Sequence, residues 1–543
     1  IEGGTIKYNN IGNTSYNTAA IRITTNSATL ILGKEDGNVS ITNPEIIGSR
    51  YGISNEGNGT FNFYDGIIKG KTAINGNLSA KEKGYEVITT EENEIETAIL
   101  GNLPVAKIGE KEYYTFQEAF DACPSDGTET TVEVLRNCTT DMANIIEENK
   151  NIVLDIQSYK IVSGIENLFT NNGKFKIVDS IGNGRIISAK GTILKNEETG
   201  NFAINNITMQ MTGSSAIDET IENKGMLEVT GGVIISDGLK NKCINNIEQG
   251  TVKITGGTVS AYTYAIYNTS SNKVEIEGGT VQATYYYEGY SAIYNNTENG
   301  VVEIKGGLVT NQGKAIENKK GTIKVTGGEI RTTQGDTRYS ECGIYNNGKV
   351  IIEDGKVAAL YRGSGIQNEG GTIEITGGTV SAPEWYNSII NRGTLEISGG
   401  TIKSNQKGIY NNSTLKMTGG TVEVQEPNYT ALECGGGTAT IEGGTIKYNN
   451  TGNTNYNTAA IIITTNTATL TLGKEDGNVS TTNPEIIGST YGISNEGNGQ
   501  FNFYDGIVKG ILTAISGNIT RVEDKYTLVG GTEDNYQTTT SVS

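Results

Sequence analysis

Thr251-Val-Lys-Ile-Thr-Gly-Gly-Thr-Val259 is the stretch of sequence that decides the fold. Val252 and Ile254 alternate with polar residues, which is typical of a β-strand with one buried face. Glycine reaches positive φ angles without steric cost, so the pair Gly256-Gly257 allows a sharp corner. Val259 then points inward again. The stretch therefore predicts two short strands joined by a tight glycine turn.

The same pattern recurs between Leu227 and Ile446. Its first glycine position falls at residues 231, 256, 278, 306, 327, 354, 377, 399, 419 and 443, and only Asp354 departs from glycine there. The residue two positions before it and the residue three positions after it are apolar in every case. A fixed period of this size is typical of solenoids and propellers, and about 23 residues are too few for a propeller blade. We therefore predict an all-β fold, a parallel β-helix with about 23 residues per coil.

A second pattern, a small residue followed by Ile, any residue and Asn, occurs about once per coil. Asn donates and accepts hydrogen bonds, so stacked side-chain amides would satisfy one another. Ordinary turn asparagines are the alternative, but the common register in successive coils favours a ladder. The predicted structural ladder comprises Asn223, Asn246, Asn268, Asn295, Asn318, Asn346, Asn368, Asn391 and Asn411, with Cys434 in the same place in the last coil.

Composition excludes several functions. The chain has 543 residues, a net charge of −19 and no His. The acidic balance argues against binding to nucleic acid or to anionic membranes. No apolar run approaches the length of a transmembrane helix, so we expect no membrane insertion. Without His, Ser-His and Cys-His nucleophiles are excluded in this segment and a zinc site is disfavoured. We expect no catalytic, cofactor-binding or metal-binding residues.

The five cysteines leave one question open. Cys123 and Cys138 flank one segment and could form a disulfide. Cys243, Cys342 and Cys434 lie in or beside the Ile-x-Asn strands of different coils. The odd count and this placement indicate small, buried apolar side chains rather than a disulfide framework.

A larger period lies above the 23-residue one. Residues 1–70 and 441–510 are identical at 61 of 70 positions, at a constant offset of 440 residues. We interpret this as tandem duplication in a very long protein, with the segment containing the tail of one module and nearly all of the next. The first residues begin in the middle of the repeat pattern, so we expect any signal or anchor to lie outside the segment.

Residues 71–165 depart from the coil pattern. Residues 71–103 are charged and poor in glycine pairs, which indicates closing strands and a junction. Phe116–Cys123 has an apolar helical face, with Thr115 as its N-cap. An amphipathic helix is expected here because a solenoid must cover its open end. The predicted domains are 1–103 (final coils of an upstream module and junction), 104–165 (N-terminal cap and first strands), 166–530 (β-helix coils) and 531–543 (junction to a following module).

These elements resemble a known superfamily. The helix at Thr115–Ala122, the strands Thr131–Leu135, Ile152–Ile156 and Lys174–Ser180, and the Gly-Gly-Thr coils are similar to pectin-lyase-like right-handed parallel β-helices. The closest resemblance is to giant repetitive surface or adhesin-like proteins of Gram-positive anaerobes. The resemblance implies a right-handed helix. Its members include polysaccharide lyases, glycoside hydrolases, phage tailspikes and adhesins, so it implies the fold more than an activity.

Tyrosine is the most prominent side chain, with 28 Tyr against 9 Phe and 1 Trp. Insertions in solenoids gather on one face, which is often the binding face, and Tyr suits contact with sugar or protein. The candidate residues for ligand binding or lateral contact are Tyr262, Tyr264, Tyr285, Tyr286, Tyr287, Tyr290, Tyr339, Tyr361, Trp385 and Tyr386. Stabilisation of the outer sheet is the alternative; we favour it for Tyr267, Tyr294, Tyr345 and Tyr410, which we expect to stack as a column.

An enzyme of this fold would need poised carboxylates or a basic residue in a groove. The best local cluster is Arg331, Asp336, Arg338, Glu341 and Arg362. It lies in a loop and does not recur, so we interpret it as a solvated loop.

The sequence therefore predicts a non-enzymatic structural or adhesive β-solenoid, a rod segment of a large secreted or filament-forming protein on the bacterial cell surface. The alternative is a polysaccharide-active enzyme or a carbohydrate-binding, tailspike-like β-helix. Expected partners are further copies of the 440-residue module in cis, other rods through lateral or end-to-end association, and a surface glycan or host protein.

Overall fold

The structure is a computed structural model that describes residues 1–8, 18–82, 85–213, 219–239, 241–285, 289–333, 341–383, 386–426, 429–449, 458–522, 527–533 and 536–542. It divides into two compact units. The first contains Ile1–Cys123 and Val132–Met142, and the second contains Pro124–Thr131 and Ala143–Ser543. Within the described residues the fold is all-β apart from one short helix, with about 19 turns of about 23 residues. The predicted β-solenoid is confirmed.

The first unit opens with three coils, each built from three strands. These strands are β1 (Thr5–Lys7), β2 (Ala19–Ile23), β3 (Thr29–Leu32), β4 (Glu45–Ile47), β5 (Tyr51–Asn55), β6 (Thr60–Phe63), β7 (Ile67–Gly70), β8 (Thr72–Asn75) and β9 (Ala80–Lys81). Strands of successive coils pair in parallel and in register, as in Ile6 opposite Ile46 and Ile46 opposite Ile68. The interior is apolar and includes the stacked rings of Phe61 and Phe63.

An antiparallel hairpin closes these coils. Strand β11 (Ile95–Gly101) pairs antiparallel with β7, and β10 (Glu86–Glu92) pairs antiparallel with β11 on its outer side. The Glu96 carboxylate also accepts a hydrogen bond from the backbone amide of Ala73, at 2.9 Å. The hairpin thus uses backbone and side-chain groups to occupy the end of the stack.

The predicted helix is confirmed as α1 (Phe116–Ala122). Thr115 is its N-cap and forms a capping box with Glu118, which satisfies two amides at the helix start. Phe116, Ala119 and Phe120 are buried, as the amphipathic pattern predicts. Along the chain the helix follows β12 (Ala106–Ile108) and β13 (Lys111–Tyr113) and precedes β14 (Glu129–Val134) and β15 (Cys138–Thr140).

The second unit is a stack of coils. Its strands are β16 (Asn144–Ile146), β17 (Asn151–Asp155), β18 (Lys160–Ser163), β19 (Asn167–Asn171), β20 (Lys174–Val178), β21 (Arg185–Ser188), β22 (Thr192–Asn196), β23 (Asn201–Asn205), β24 (Thr208–Met211), β25 (Glu219–Asn223), β26 (Met226–Val229), β27 (Val233–Ser236), β28 (Lys242–Asn246), β29 (Thr251–Ile254), β30 (Thr258–Ala261), β31 (Tyr264–Asn268), β32 (Val274–Ile276), β33 (Thr280–Ala283), β34 (Ser291–Ile304), β35 (Leu308–Asn311), β36 (Lys314–Thr332), β37 (Cys342–Asn346), β38 (Lys349–Ala359), β39 (Ser364–Asn368), β40 (Thr372–Ile375), β41 (Thr379–Ala382), β42 (Asn387–Asn391), β43 (Thr394–Ile397), β44 (Thr401–Ser404), β45 (Lys407–Asn411), β46 (Thr414–Val424), β47 (Leu432–Cys434), β48 (Thr438–Tyr448), β49 (Ala459–Ile463), β50 (Thr469–Leu472), β51 (Glu485–Ile487), β52 (Tyr491–Asn495), β53 (Gln500–Phe503), β54 (Ile507–Gly510), β55 (Thr513–Ser516), β56 (Arg521–Val522), β57 (Thr527–Glu533) and β58 (Tyr536–Val542).

Each coil contributes one strand segment to each of three parallel sheets, and some long strands, such as β36, contribute to more than one of them. We call the sheet that contains the Ile-x-Asn strands the Asn sheet; it includes β19, β22, β25, β28, β31, β37, β39, β42 and β45. The second sheet contains the strands before the glycine corners, and the third sheet contains the strands after them. All twenty apolar positions that flank the corners are buried, at 0–1% exposure. The apolar interior predicted from their period is therefore confirmed.

The second glycine of every corner has a positive φ, from 71° at Gly328 to 89° at Gly444. The first position has no such requirement, which is why Asp354 can stand there. The second unit ends as the three coils of the first unit do, because β58 pairs antiparallel with β54 and with β57.

Candidate functional site

The asparagines of the Asn sheet form one continuous column of hydrogen bonds. Each Nδ2 donates to the Oδ1 of the asparagine one coil further along, at distances of 2.7–2.9 Å from Asn171 to Asn411. The structure places all nine predicted members in this column. Each is buried, so the amides are removed from water and bonded to one another. Many also bond backbone groups in the turn that follows, as Asn346 does with Gly348.

The column is longer than the sequence pattern predicts. Asn171 and Asn196 precede Asn223 in it, although their strands lack the small-Ile-x-Asn pattern. Asn171 follows Phe169 and Thr170, so an apolar residue two positions before Asn is the signal that could have found it. Cys434 pairs in register with Asn411 as predicted.

The outward residue of Ile-x-Asn lies on the outer face of the Asn sheet. Tyr267 and Tyr294 stack there, with ring centroids 4.7 Å apart and planes 13° apart. The expected four-membered column is wrong, because other side chains intervene in register. Glu317 lies between Tyr294 and Tyr345. Gln367 and Ile390 separate Tyr345 from Tyr410.

Several predicted loop tyrosines join the stacked pair. Tyr264 lies at the centre, with its ring 5.3 Å from Tyr267, 5.3 Å from Tyr290 and 5.7 Å from Tyr294. Tyr285 extends the contacts to Tyr262 at 4.6 Å and to Tyr290 at 5.5 Å. We call this group the tyrosine cluster; its members are Tyr262, Tyr264, Tyr267, Tyr285, Tyr290 and Tyr294. All six are half-buried, so each ring both packs and remains accessible.

The other predicted aromatic residues lie elsewhere. Tyr361 is 63% exposed, with the Arg362 guanidinium 5.7 Å from its ring centre. Tyr386 is half-buried just before β42. Tyr286, Tyr287, Tyr339 and Trp385 lie outside the described residues. The structure therefore brings together four of the ten candidates: Tyr262, Tyr264, Tyr285 and Tyr290.

Charged side chains border the tyrosine cluster. The Lys242 ammonium lies 4.2 Å from the ring centre of Tyr267. The Lys314 ammonium lies 4.2 Å from the ring centre of Tyr345, which is outside the cluster. Glu317 is buried; it accepts from Lys319 at 2.8 Å and pairs with Lys314 at 3.3 Å. Sequence reasoning missed these lysines because nothing local marks them as neighbours of a ring one coil away.

Burial is the main cause of the pKa shifts of three tyrosines in and beside the cluster. It raises the pKa of Tyr264, and the Glu317 carboxylate raises that pKa further. Burial likewise raises the pKa of Tyr294 and of Tyr345. These three phenols therefore stay neutral and serve as hydrogen-bond donors and apolar surfaces; the Tyr264 hydroxyl, for example, donates to the Gly289 carbonyl at 2.5 Å.

Two cavities lie along the Asn sheet. One of about 500 Å³ is lined by Glu166, Asn167, Lys190, Gly191, Thr192, Lys195, Glu219 and Glu222. Another of about 210 Å³ is lined by Asn387, Lys407, Tyr429, Thr430, Glu433, Ile462 and Thr464. Both linings mix charges of opposite sign with polar groups, which suits hydrogen bonding to a polar ligand.

Of the five charged residues in the loop cluster, the structure describes Arg331, Glu341 and Arg362. Arg331 forms an ion pair with Glu329 on its own strand, at 3.1 Å. Glu341 is buried just before β37. Asp336 and Arg338 lie outside the described residues. Arg331 is therefore engaged in an ion pair on the sheet.

All five cysteines are buried and none is part of a disulfide, so Cys123 and Cys138 do not form the disulfide that the sequence left open. Burial raises the pKa of Cys138 to about 12. No group of three or more Cys, Asp or Glu side chains that could hold a metal ion occurs among the described residues. In the same part of the chain, no helix has the length and apolarity needed to cross a membrane.

Comparison of the chain with protein-family models, with curated proteins and with solved structures gave no match.

Proposed function

We propose that this chain is a non-enzymatic rod segment of a large secreted bacterial surface or filament-forming protein, with a structural and adhesive role. The observation that carries the proposal is the asparagine column, together with the apolar positions that stay in register through the same coils. Each coil of a solenoid contacts only its neighbours, so coils can be added without redesign of the rest. This property suits a spacer.

Three further features support the rod. Parallel coils rise by about 4.8 Å each, so even fifteen coils reach about 70 Å. The 440-residue duplication offers a way to multiply that reach through further modules in cis. Ion pairs also join successive coils on the outside, for example Lys253 with Glu277 at 3.2 Å and Lys349 with Glu374 at 2.7 Å. We place the protein outside the cell, on the bacterial surface.

The tyrosine cluster supports the adhesive part of the proposal. Half-buried tyrosines present rigid, amphipathic surface at low entropic cost, which suits contact with a glycan, a host protein or a neighbouring rod. A carbohydrate-binding or polysaccharide-active β-helix is the second candidate. The polar hollow that contains Glu219 and Glu222 favours it, because carboxylates could bond sugar hydroxyls there.

Mechanical unfolding of the 543-residue chain tests the structural role. Because parallel backbone ladders join successive coils and the asparagine column joins those from Asn171 to Asn411, we expect the second unit to resist force until several coils separate together. Asn346→Leu should lower that force, whereas Asn412→Leu should not, because Asn412 is exposed outside the column. Unfolding at negligible force, or an unchanged force in Asn346→Leu, would contradict the proposal.

A glycan panel separates the proposed adhesive role from the polysaccharide-active alternative. We expect no new reducing ends and no unsaturated products from any polysaccharide. Binding without turnover that is lost in Tyr262→Ala and Tyr285→Ala would support adhesion through the tyrosine cluster. Turnover that is lost in Glu219→Gln and Glu222→Gln would replace our proposal with the enzymatic alternative.

A further inference from the structure

The cavity of about 500 Å³ on the Asn sheet is lined by charged side chains of both signs. We call it the charged cavity; its charged residues are Glu166, Lys190, Lys195, Glu219 and Glu222. Lys195 and Glu222 lie directly opposite each other in register, on adjacent strands. Even so, none of the five forms an ion pair with another residue that the structure describes. Two ammonium and three carboxylate groups therefore surround one cavity without neutralising one another.

Comparable charges on neighbouring coils do pair elsewhere in the second unit. Lys224 contacts Glu197 at 3.3 Å, and Lys349 contacts Glu374 at 2.7 Å. Opposite charges on adjacent strands stabilise a sheet when they meet across it. The charges around the cavity lack this contact, so they are free to bind the complementary charges of an external ligand.

A buried amide fixes the position of one of these carboxylates. Asn245 is 6% exposed, and its Nδ2 donates to Glu219 Oε1 at 2.7 Å. Its Oδ1 accepts from the Lys242 ammonium at 3.1 Å, which sets the orientation of the amide. Glu219 Oε2 has no partner in the described part of the chain. Glu219 is thus held by one oxygen and offers the other to a ligand, which lowers the entropic cost of binding.

The same contacts lead from the charged cavity to the tyrosine cluster. The Lys242 ammonium that orients Asn245 also lies 4.2 Å from the ring centre of Tyr267. In register, Glu219 is opposite Lys242, and Lys242 is opposite Tyr264. Two coil steps separate Glu219 from Tyr264, which is roughly 10 Å. One extended ligand can therefore reach both the cavity and the rings.

The shape and lining of the cavity favour a glycan over a protein. Its volume falls within the range of about 300–1,000 Å³ found for small-ligand sites, and its polar lining suits hydroxyl groups. Strands β22 and β25 are paired on both sides, so a peptide cannot join the sheet there as an added strand. The tyrosine rings next to the cavity offer flat, amphipathic surfaces to sugar rings.

We propose that the charged cavity and the tyrosine cluster form one binding site for a zwitterionic glycan, a sugar chain that carries both ammonium and carboxylate groups. Glu219 and Glu222 accept hydrogen bonds from the ammonium groups of the glycan, and Lys195 donates to its carboxylates. The rings of the tyrosine cluster pack against its sugar faces. This inference rests on the adhesive role proposed above and adds the chemical class of the ligand.

Four hexasaccharides test the charge preference in calorimetric titrations of the 543-residue chain. N-deacetylated hyaluronan carries both charges, hyaluronan carries carboxylates, a glucosamine oligomer carries ammonium groups, and an N-acetylglucosamine oligomer is neutral. We expect the zwitterionic hexasaccharide to bind about tenfold tighter or more than each of the other three, because only it makes charge-assisted hydrogen bonds to both signs. Its affinity should fall with added salt, since these charges are accessible to solvent.

Three variants connect this preference to individual side chains. Glu219→Gln should weaken binding of the zwitterionic hexasaccharide about tenfold and leave that of hyaluronan nearly unchanged. Lys195→Gln should weaken both. Asn245→Ala should reduce the preference for the zwitterionic hexasaccharide over hyaluronan, a ratio that a merely structural role would not change. Glu277→Gln is the control, because Glu277 pairs with Lys253 on another sheet, and it should change none of the affinities.

Equal affinity for the four hexasaccharides, or no binding of any of them, would overturn the inference. So would unchanged binding of the zwitterionic hexasaccharide in both Glu219→Gln and Lys195→Gln. Binding of a peptide of alternating Lys and Glu, without binding of any hexasaccharide, would overturn it in favour of a protein ligand. Equal affinities that are all lost in Tyr262→Ala would leave the adhesive role standing, so its failure is distinguishable from failure of the charge preference.

Discussion

At the scale of single residues, the two glycines of each corner have different roles. The second one has φ above 70°, a region that is strained for every residue with a Cβ. A Cβ at Gly378 would also approach the Gly355 carbonyl oxygen of the preceding coil to 2.8 Å. The first glycine carries no positive φ, and Asp354 occupies that position in one coil. Conformation therefore explains why only one glycine of the pair is present in all ten corners.

We expect Gly378→Ala to lower the free energy of unfolding by about 1–3 kcal/mol, because the left-handed backbone and the close carbonyl both disfavour a methyl group. Gly164→Ala is the matched control, since Gly164 has no positive φ and open space at its Cβ. It should be neutral or slightly stabilising. Chemical denaturation of the two variants checks this, and equal stabilities would contradict it.

Asn346→Leu should lower the free energy of unfolding by about 1–3 kcal/mol, because Asn318 and Asn368 lose a buried partner. Asn318 donates to Asn346 at 2.8 Å, and Asn346 donates to Asn368 at 2.9 Å. The exposed Asn412→Leu should cost less than about 0.5 kcal/mol. Denaturant midpoints measure both, and a stable Asn346→Leu would show that the column is dispensable.

The burial of the cysteines predicts how fast they react with a thiol reagent. Burial raises the pKa of Cys138 to about 12, and burial also raises the pKa of Cys434, so neither forms a thiolate near neutral pH. We expect no fast reaction of the native chain with a thiol reagent. In denaturant without reductant, all five cysteines should react. A count of three would reveal a disulfide.

At the scale of elements, closing hairpins recur at the end of each duplicated stretch. Strand β58 pairs antiparallel with β54, as β11 does with β7. An antiparallel strand ends the parallel stack because the next residues of the chain run back along the edge instead of starting another coil. Acidic residues on the outer strand β10, including Glu91 and Glu92, further disfavour pairing with another chain.

Removal of β57 and β58 should expose the edge of β54 and promote association. We expect a chain that stops after Val522 to sediment as larger, concentration-dependent species than the 543-residue chain. Without the hairpin, the backbone edge of β54 is unpaired, and apolar side chains such as that of Val508, which is buried in the 543-residue chain, lie beside that edge. Such an edge favours pairing with another chain. Identical sedimentation of both chains at equal concentration would show that the hairpin does not protect this edge.

At the scale of the whole molecule, two compact units carry the same coil design. The stability of such a stack is close to the sum of the stabilities of its coils and of the interfaces between adjacent coils. A local loss of stability therefore affects adjacent coils more than distant ones. A destabilising substitution in one coil of the second unit should therefore destabilise mainly the adjacent coils.

Ile375→Asp places a carboxylate in the apolar interior, where it has no partner, and should cost several kcal/mol. We expect faster hydrogen exchange in residues 349–404 and little change in residues 19–75. Glu374→Gln, on the outward side of the same strand, is the control and should change exchange little. If Ile375→Asp melts and exchanges like the parent, the inward assignment is wrong.

The coil period, the inward positions, the glycine corners and the nine asparagines could all be read from the sequence. Each of these features recurs in successive coils, so a weak local preference is reinforced at each recurrence, and parallel pairing forces equivalent residues into register. The helix α1 was equally predictable, because its cap and apolar face are local.

Other features were decided only by the tertiary structure, because they depend on which residues of different coils become neighbours. Loops of unequal length bring Tyr264 against Tyr290 and Lys242 against Tyr267, and the sequence does not state those distances. Glu317 breaks the expected tyrosine column for the same reason. The packing around each of these side chains is set by the coil that lies alongside, which the local sequence of one coil cannot encode.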